Sequence, residues 1–156
     1  MKRWMIYLLL VAGAFLFPKR PVELGKLIPV ELILVEKEEG AYLVRTDTGD
    51  VGHGTTLPSA IEDLRATAAG DLFLDTARYL LVTEETQHAI PEISGYLKEK
   101  TYLCMAQNGL DPEQATKYLS AHPPKLHLKD WEMGSNLSFC NKLKEDIGSN
   151  KKCQKK

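Results

Sequence analysis

The fold follows from the stretch TTLPSAIEDLRATAAGDLFLDTARYLLV, residues 55–82, in which a helix pattern precedes a strand pattern. Its first part places apolar side chains at helical spacing: Leu57, Ala60, Ile61, Leu64 and Ala68. Thr55 or Thr56 is a candidate N-cap for this helix, and Pro58 occupies its first turn. The second part ends in the apolar run 79–82, which is typical of a strand covered on both faces. The stretch therefore predicts an amphipathic helix beside a buried strand.

Two further patterns lie upstream. The sequence LIPVELILVEKEEGAYLVRT holds two apolar runs around residues 36–40, which predicts a β-hairpin whose charged turn is closed by Gly40. The sequence TDTGDVGHG follows, and we interpret it as a loop. Its glycines, Gly49, Gly52 and Gly54, could in principle cradle a phosphate, but no Lys-Ser/Thr pair follows them. Ordinary turn chemistry is the favoured interpretation.

Downstream, the pattern predicts a helix, a strand and another helix. The first helix spans about 89–100, with Lys98 and Lys100 near its C-terminus, where the helix dipole favours cations. TYLCMAQ is a second buried strand, and Asn108 with Gly109 turns the chain. LDPEQATKYLSA then begins a helix with Asp111 as its N-cap.

These elements predict an α+β (or α/β) fold. The order along the chain is ββαβαβα, which favours a mixed β-sheet with about three packed helices. We divide the chain into a signal peptide or N-terminal membrane anchor at 1–20, a domain at 21–125, and a basic, flexible tail at 126–156.

The N-terminus has the composition of a targeting segment. Lys2 and Arg3 precede an unbroken run of apolar or small residues at 4–17. As a helix this run covers roughly 21 Å, which is short against a hydrocarbon core of about 30 Å. Signal peptidase could cut after Ala14, or the segment could stay as an uncleaved anchor. Both alternatives place the domain outside the cytoplasm.

Charge is distributed unevenly along the chain. Residues 21–141 carry 10 basic and 19 acidic side chains, whereas residues 1–20 are purely basic and 142–156 hold six lysines. A nucleic-acid ligand needs a positive face on the folded part, so we predict that nucleic acid is no partner.

The residue types that carry catalysis or bind metals show no suitable spacing. The histidines, His53, His88, His122 and His127, are each interpreted as surface or loop residues, because none has a partner at the spacing of a metal or catalytic motif. Cys104 lies in an apolar run and is interpreted as a core residue, while Cys140 and Cys153 could form a disulfide outside the cell. We therefore predict a protein that is not an enzyme, with no catalytic residue, no cofactor site and no metal site.

From residue 54 to 119 the chain resembles the N-terminal domain of the Ger(x)C family, the lipoprotein C-subunits of spore germinant receptors. The run GTTLPSAIEDL is similar to that family's helix start, and GDLFLDTARYLLVTEET is similar to its following strand. The matching positions are Thr56, Leu57, Ala60, Phe73, Asp75, Arg78, Leu80, Val82 and Glu84, with Asp75 standing where the family often has His. The family has a lipid-bearing Cys where this chain has Ala14, and it continues through two further domains, so the resemblance implies a stand-alone first domain held by 4–17 alone.

The resemblance implies a role in spore germination. We expect a membrane-tethered scaffold or interaction domain on the outer face of the cell membrane or at the spore inner membrane. Its expected partners are the membrane and integral membrane subunits of a germinant receptor. The alternative is an exported module that binds a small ligand or a peptide, using the edge of its sheet. A scaffold needs an exposed apolar or aromatic patch, whereas a binding module needs a concave pocket with convergent polar groups.

Overall fold

A computed structural model describes residues 26–131 and contains a five-stranded mixed sheet with three α-helices. The α+β class is thereby confirmed. The strands are β1 Leu27–Pro29, β2 Leu32–Glu38, β3 Ala41–Thr46, β4 Val51–Gly54, β5 Asp71–Phe73, β6 Tyr79–Val82 and β7 Tyr102–Met105. The helices are α1 Leu57–Thr67, α2 Ile90–Ser94 and α3 Pro112–Ala121, and short 3-10 turns lie at Leu74–Thr76, Glu84–Ala89 and Leu128–Asp130.

The sheet has the order β4-β3-β2-β6-β7. Strands β2, β3 and β4 pair antiparallel, whereas β2, β6 and β7 are parallel. Strands β1 and β5 form a separate parallel pair. Three strands were not predicted from the sequence, since β1 and β5 are only three residues long and β4 is rich in glycine.

The predicted hairpin is confirmed, but its turn is shorter than expected. Glu38 pairs with Ala41, so the turn contains only Glu39 and Gly40, with φ angles of 51° and 87°. Positive φ at both positions matches the twist of the flanking strands. Glu36, which the sequence assigned to the turn, lies inside β2 and is buried.

The predicted loop at 46–54 is wrong in its second half, which forms β4. Gly52 and Gly54 lie in this strand and face α1, and a Cβ added at either position would overlap the backbone of the helix around Ala60. The glycines therefore allow a close helix–sheet approach, which is a packing role and not turn chemistry.

Side chains alternate along the central strands and build two cores. Ile33, Val35, Leu80 and Val82 share one core with α1 and α2. Leu32, Leu34, Tyr79, Leu81 and Cys104 share the other core with α3. The helices thus cover the sheet on both faces, which explains why β6 is apolar at every position.

Helix α1 forms as the sequence predicts. Thr56 is its N-cap, and its hydroxyl accepts a hydrogen bond from the backbone N–H of Ser59 while the Ser59 hydroxyl accepts one from Thr56 N–H. Ser59 therefore takes the place that Glu or Gln has in the usual capping box. The buried side chains of α1 are Leu57, Ala60, Ile61 and Leu64.

The start of the helix predicted at about 89–100 is confirmed, because α2 begins at Ile90, but the predicted end is wrong. A 3-10 turn precedes α2 from Glu84, and Thr83 and Thr86 form a capping box at its start. Helix α2 ends at Ser94, next to Gly95, and the chain then turns so that Leu97 packs on the core. Lys98 and Lys100 therefore lie beyond the helix and not at its C-terminus.

Helix α3 agrees with its prediction. The Asp111 carboxylate accepts a hydrogen bond from Glu113 N–H at the N-terminus, and Gln114 donates a side-chain bond to the same carboxylate. On the exposed face Lys117 donates to Glu113 over 2.7 Å, and this bond raises the pKa of Lys117 above its ordinary value.

Both outer edges of the five-stranded sheet are occupied by the chain itself. At β4, the side chain of Asp63 accepts from His53 N–H and the Thr67 hydroxyl donates to Val51 O. At β7, Leu103 N–H donates to Leu126 O, and Leu128 N–H donates to Thr101 O. The first residues of the predicted tail, 126–131, thus lie against the domain.

Two predicted segments lie outside the described residues: the N-terminal segment 1–20 and the part of the tail from 132 to 156. Within residues 26–131, no helix has both the length and the apolar character needed to cross a membrane.

Candidate functional site: a basic cleft at the amino ends of two parallel strands

An open cleft of about 630 Å³ lies where strands β6 and β7 begin. Three segments form it: the residues that precede β6, the residues that precede β7, and the segment that covers the β7 edge. Its lining residues are Asp75, Thr76, Ala77, Arg78, Lys98, Lys100, Thr101, Tyr102, His127 and Lys129. Helix α2 ends at Ser94, and the chain then returns to β7, an outer strand of the sheet. This connecting segment supplies Lys98, Lys100 and Thr101 to the cleft.

Backbone hydrogen bonds hold the three segments together. Tyr102 N–H donates to Arg78 O over 2.8 Å, which continues the β6–β7 pairing beyond the strands. The buried Thr101 hydroxyl donates to Ala77 O over 2.9 Å. Leu128 N–H donates to Thr101 O over 2.8 Å. The base of the cleft is therefore fixed by the fold before any ligand arrives.

An aromatic stack stands at one side of the cleft. The rings of Tyr79 and Tyr102 lie 5.9 Å apart, and the imidazole of His127 lies 4.3 Å from the Tyr102 ring. The Arg78 guanidinium lies 5.8 Å from the Tyr79 ring centroid. His127 Nδ1 is 2.9 Å from Lys100 O, and because a carbonyl oxygen only accepts, Nδ1 carries the hydrogen. The ring orientation is thereby fixed, with Nε2 left for a further partner.

The charge of the cleft is opposite to that of the domain. Arg78, Lys98, Lys100 and Lys129 face a single lining carboxylate, Asp75. All four cations are exposed. Residues 26–131 as a whole carry 10 basic and 17 acidic side chains. A locally positive cleft on an acidic domain attracts anions.

An exposed aromatic side chain lies close to the cleft. Phe73, in β5, is 43% exposed, and it is the one large hydrophobic side chain among residues 26–131 that is classed as exposed. Its carbonyl accepts a hydrogen bond from the hydroxyl of Thr76, a lining residue. The chain also enters the five-stranded sheet here, because Val30, just before β2, bonds to the same hydroxyl. We call this end of the domain, with Phe73 and the cleft, the entry pole.

A second cleft, of about 190 Å³, lies between the β3–β4 loop and the start of α3. Its one cation is Arg45, which already donates to Leu110 O and contacts the buried carboxylate of Glu36. Its carboxylates include Asp47, whose Oδ1 accepts from two backbone N–H groups. These side chains are engaged in holding loops, so this cleft is the weaker candidate.

The structure separates the four histidines. His53 lies exposed on β4, His88 bonds to the hydroxyl of Tyr42, and His122 stacks on Tyr118 at the end of α3. Only His127 lines the basic cleft. No three or more His, Cys, Asp or Glu side chains between residues 26 and 131 are grouped so that they could hold a metal ion.

Sequence reasoning missed the members of the basic cleft. Lys98 and Lys100 were interpreted as helix-end cations, and His127 and Lys129 were assigned to the tail. The alternation of Lys98, Lys100 and Tyr102, leading into β7, was a weak signal that these side chains lie on one side of the strand. Their convergence with Arg78 depends on the β6–β7 pairing, which no local pattern reveals.

Cys104 is buried in the core, as its apolar surroundings predicted, and it takes part in a disulfide bond. Cys140 and Cys153 lie outside the described residues.

No protein-family model, curated protein or solved structure matches the chain significantly. The likeness to the Ger(x)C family therefore rests on the sequence pattern alone.

Proposed function

We propose that the chain is a membrane-tethered, extracytoplasmic and non-enzymatic interaction domain that acts in spore germination, and that the entry pole is its contact surface. The observation that carries this proposal is the combination of exposed Phe73 with the basic cleft at one end of the domain. Exposed aromatic side chains and arginines are enriched where proteins meet partners. The predicted membrane segment at 4–17 would bring this same end toward the membrane.

The positions that carry the family resemblance support the proposal. Thr56 caps α1, and Leu57 and Ala60 are buried beneath it. Leu80 and Val82 are buried in the strand that follows. Two further matches, Phe73 and Arg78, are exposed at the entry pole, so packing does not account for them, and Glu84 is exposed in the 3-10 turn after β6.

The side-chain partners of the histidines favour a non-enzymatic role. The described imidazoles that form hydrogen bonds have a tyrosine hydroxyl or a backbone carbonyl as partner. A nucleophile activated by a histidine would instead pair a Ser, Thr or Cys side chain with the ring. The basic cleft offers cations for binding and one carboxylate, which suits recognition of charge.

The disulfide of Cys104 supports an extracytoplasmic location, because disulfides persist in oxidising compartments and are rare in the cytosol.

The alternative, an exported small-ligand or peptide-binding module, is favoured by the concave shape of the basic cleft. Addition of a peptide strand to the sheet edge is disfavoured, because Asp63 and Thr67 cover β4 and residues 126–128 cover β7. A ligand would therefore bind in the cleft and not along the sheet.

The experiment that tests the proposal is a photo-crosslink in spores. A photoreactive residue at position 73 should crosslink to an integral membrane subunit of a germinant receptor, detected with an antibody against that subunit. The same probe at position 113, on exposed α3, is the matched control and should give no such product. Deletion of the gene should slow germination. Normal germination in the deletion strain, or equal crosslinking at both positions, would contradict the proposal.

A further inference from the structure

The four cations of the basic cleft lack compensation within the described part of the molecule. Arg78, Lys98, Lys100 and Lys129 line the cleft, and none forms an ion pair with any residue from 26 to 131. Residues 26–131 as a whole nevertheless carry an acidic excess, with 17 acidic against 10 basic groups. Four like charges around one cleft favour an anion as the ligand.

The surroundings of these cations are suited to binding. Hydrogen bonds from Thr101 and Tyr102 fix the backbone at the base, so the backbone loses little freedom when an anion enters. The His127 ring, held by Lys100 O, stands beside the cations, and its Nε2 is an acceptor in this tautomer. One lining carboxylate, Asp75, leaves a clear excess of positive charge.

We propose that the basic cleft binds a phosphate-bearing anion, either a soluble phosphate compound or the headgroup of an anionic phospholipid. Lysine ammonium groups bind phosphate as point charges, and arginine can bind its oxygens in pairs. A single carboxylate would leave most of the four cations uncompensated, whereas a phosphate presents several oxygens and up to two charges. The proposal rests on the proposed function in taking the entry pole as the contact surface.

Position within the molecule connects the cleft to a lipid source. The Thr76 hydroxyl bonds to both the N–H and the carbonyl of Val30, so the cleft lies beside the end of β1. Residues 18–25 separate the apolar run at 4–17 from Lys26, and the short strand β1 then leads to Val30. A fully extended link of this length spans about 30 Å, which keeps the cleft within reach of headgroups if that run is in a membrane.

Lysine footprinting of the full chain tests the proposal. The protein is placed in nanodiscs of phosphatidylcholine, and acetylation of each lysine is measured by mass spectrometry. In one arm inorganic pyrophosphate is added, and in the other phosphatidylglycerol replaces part of the lipid. Lys98, Lys100 and Lys129 should become protected in at least one arm, while Lys37, at the opposite end of β2, should not. Protection by pyrophosphate indicates a soluble ligand, and protection by phosphatidylglycerol alone indicates a headgroup.

A charge variant makes the test specific. In the double variant Lys98→Gln/Lys129→Gln, half-protection of Lys100 should require about tenfold more ligand. Each exposed charge contact contributes a factor of up to about five to the affinity. Lys37→Gln removes a lysine charge outside the cleft and should leave binding unchanged. The proposal is overturned if neither arm protects the cleft lysines, if Lys37 is protected equally, or if the double variant binds like the wild type. A negative result here leaves the crosslink at position 73 unaffected, so the two proposals fail separately.

Discussion

Glu36 is a carboxylate that is only 4% exposed, and two groups compensate its burial. Its Oε1 accepts from Gly109 N–H, and its Oε2 lies 3.5 Å from Arg45 Nη1. Arg45 also donates to Leu110 O over 3.1 Å. Glu36 thus ties the turn after β7 to the middle of the sheet, which positions the start of α3.

Replacement of Glu36 by Ala should reduce the free energy of unfolding by about 1–3 kcal/mol, because Gly109 N–H would be left without its acceptor. Urea unfolding of the full chain in neutral detergent, followed by circular dichroism, measures the change. Glu38→Ala is the matched control, since Glu38 is exposed two residues further along the same strand. Its effect should stay within about 0.5 kcal/mol. Equal losses would mean that Glu36 does not fasten the turn.

At the level of elements, α1 shows which side chains determine its packing. Ile61 and Leu64 share one buried core with Leu80 and Val82, as the spacing of apolar residues predicted. The exposed face is less uniform, because Arg65 lies 5.7 Å from the ring of Tyr96. Arg65 therefore makes a cation–π contact, which sequence periodicity does not indicate.

Truncation of Leu64 to Ala should cost about 2–5 kcal/mol, because Leu64 is fully buried and its removal leaves a cavity. Glu62→Ala, on the exposed face of the same helix, should change stability by less than about 0.5 kcal/mol. Arg65→Ala is a poorer control, since an exposed cation–π contact contributes about 0.5–1 kcal/mol. If urea midpoints fall equally for Leu64→Ala and Glu62→Ala, the helix does not face the sheet as described.

The approach of α1 to β4 depends on a glycine. Gly52→Ala should reduce stability by about 1–3 kcal/mol or more, because the new Cβ would overlap Ala60 O and approach Leu64 Cβ. Gly95→Ala is the matched control: its nearest contact would be Glu92 O at 3.6 Å, and its φ of −65° suits any residue. That variant should be neutral or stabilising by up to about 1 kcal/mol. Thermal unfolding of both variants measures the difference. A loss of stability in Gly52→Ala alone indicates crowding against α1, whereas equal losses would indicate a general effect of replacing glycine.

Local signals account for the elements that were predicted correctly. The apolar spacing of α1, the Asp111 cap of α3 and the uniform apolar character of β6 each depend on residues close in sequence. The errors occur where distant contacts decide. Strand β4 forms because α1 packs on Gly52 and Gly54, and α2 ends early because Leu97 turns onto the core.

The basic cleft could not be predicted for the same reason. Arg78 and Lys100 are separated by more than twenty residues, and the parallel pairing of β6 with β7 alone brings them together. Charge counts indicated an acidic domain, which was correct on average and gave no sign of a local excess of cations. A cleft of this kind is a property of the topology, since it collects the segments that precede neighbouring parallel strands.

At the scale of the whole molecule, helices cover both faces of the sheet and other parts of the chain cover its two outer edges. A partner would therefore contact side chains and not the backbone of an edge strand. One face of the sheet is covered by α1 and α2 and the other by α3. Residues 126–131 close the β7 edge and also bring His127 and Lys129 to the cleft. The same segment thus protects an edge and completes the candidate site, so its removal should affect both.

Cys104 lies in the core that α3 covers, and it takes part in a disulfide bond. Protein prepared under oxidising conditions should give a Cys104 peptide that is disulfide-linked in a non-reducing digest and free after reduction. Reduction should lower the free energy of unfolding by about 2–5 kcal/mol, the usual contribution of a native disulfide.

In Cys104→Ala the bond cannot form, so added reductant should change the stability of that variant far less than that of the wild type. Single variants at Cys140 and Cys153 identify the partner, because only one of them should release Cys104 for alkylation. A Cys104 that is fully alkylated in the native, unreduced wild type after denaturation would contradict the disulfide, and with it one support for an extracytoplasmic location.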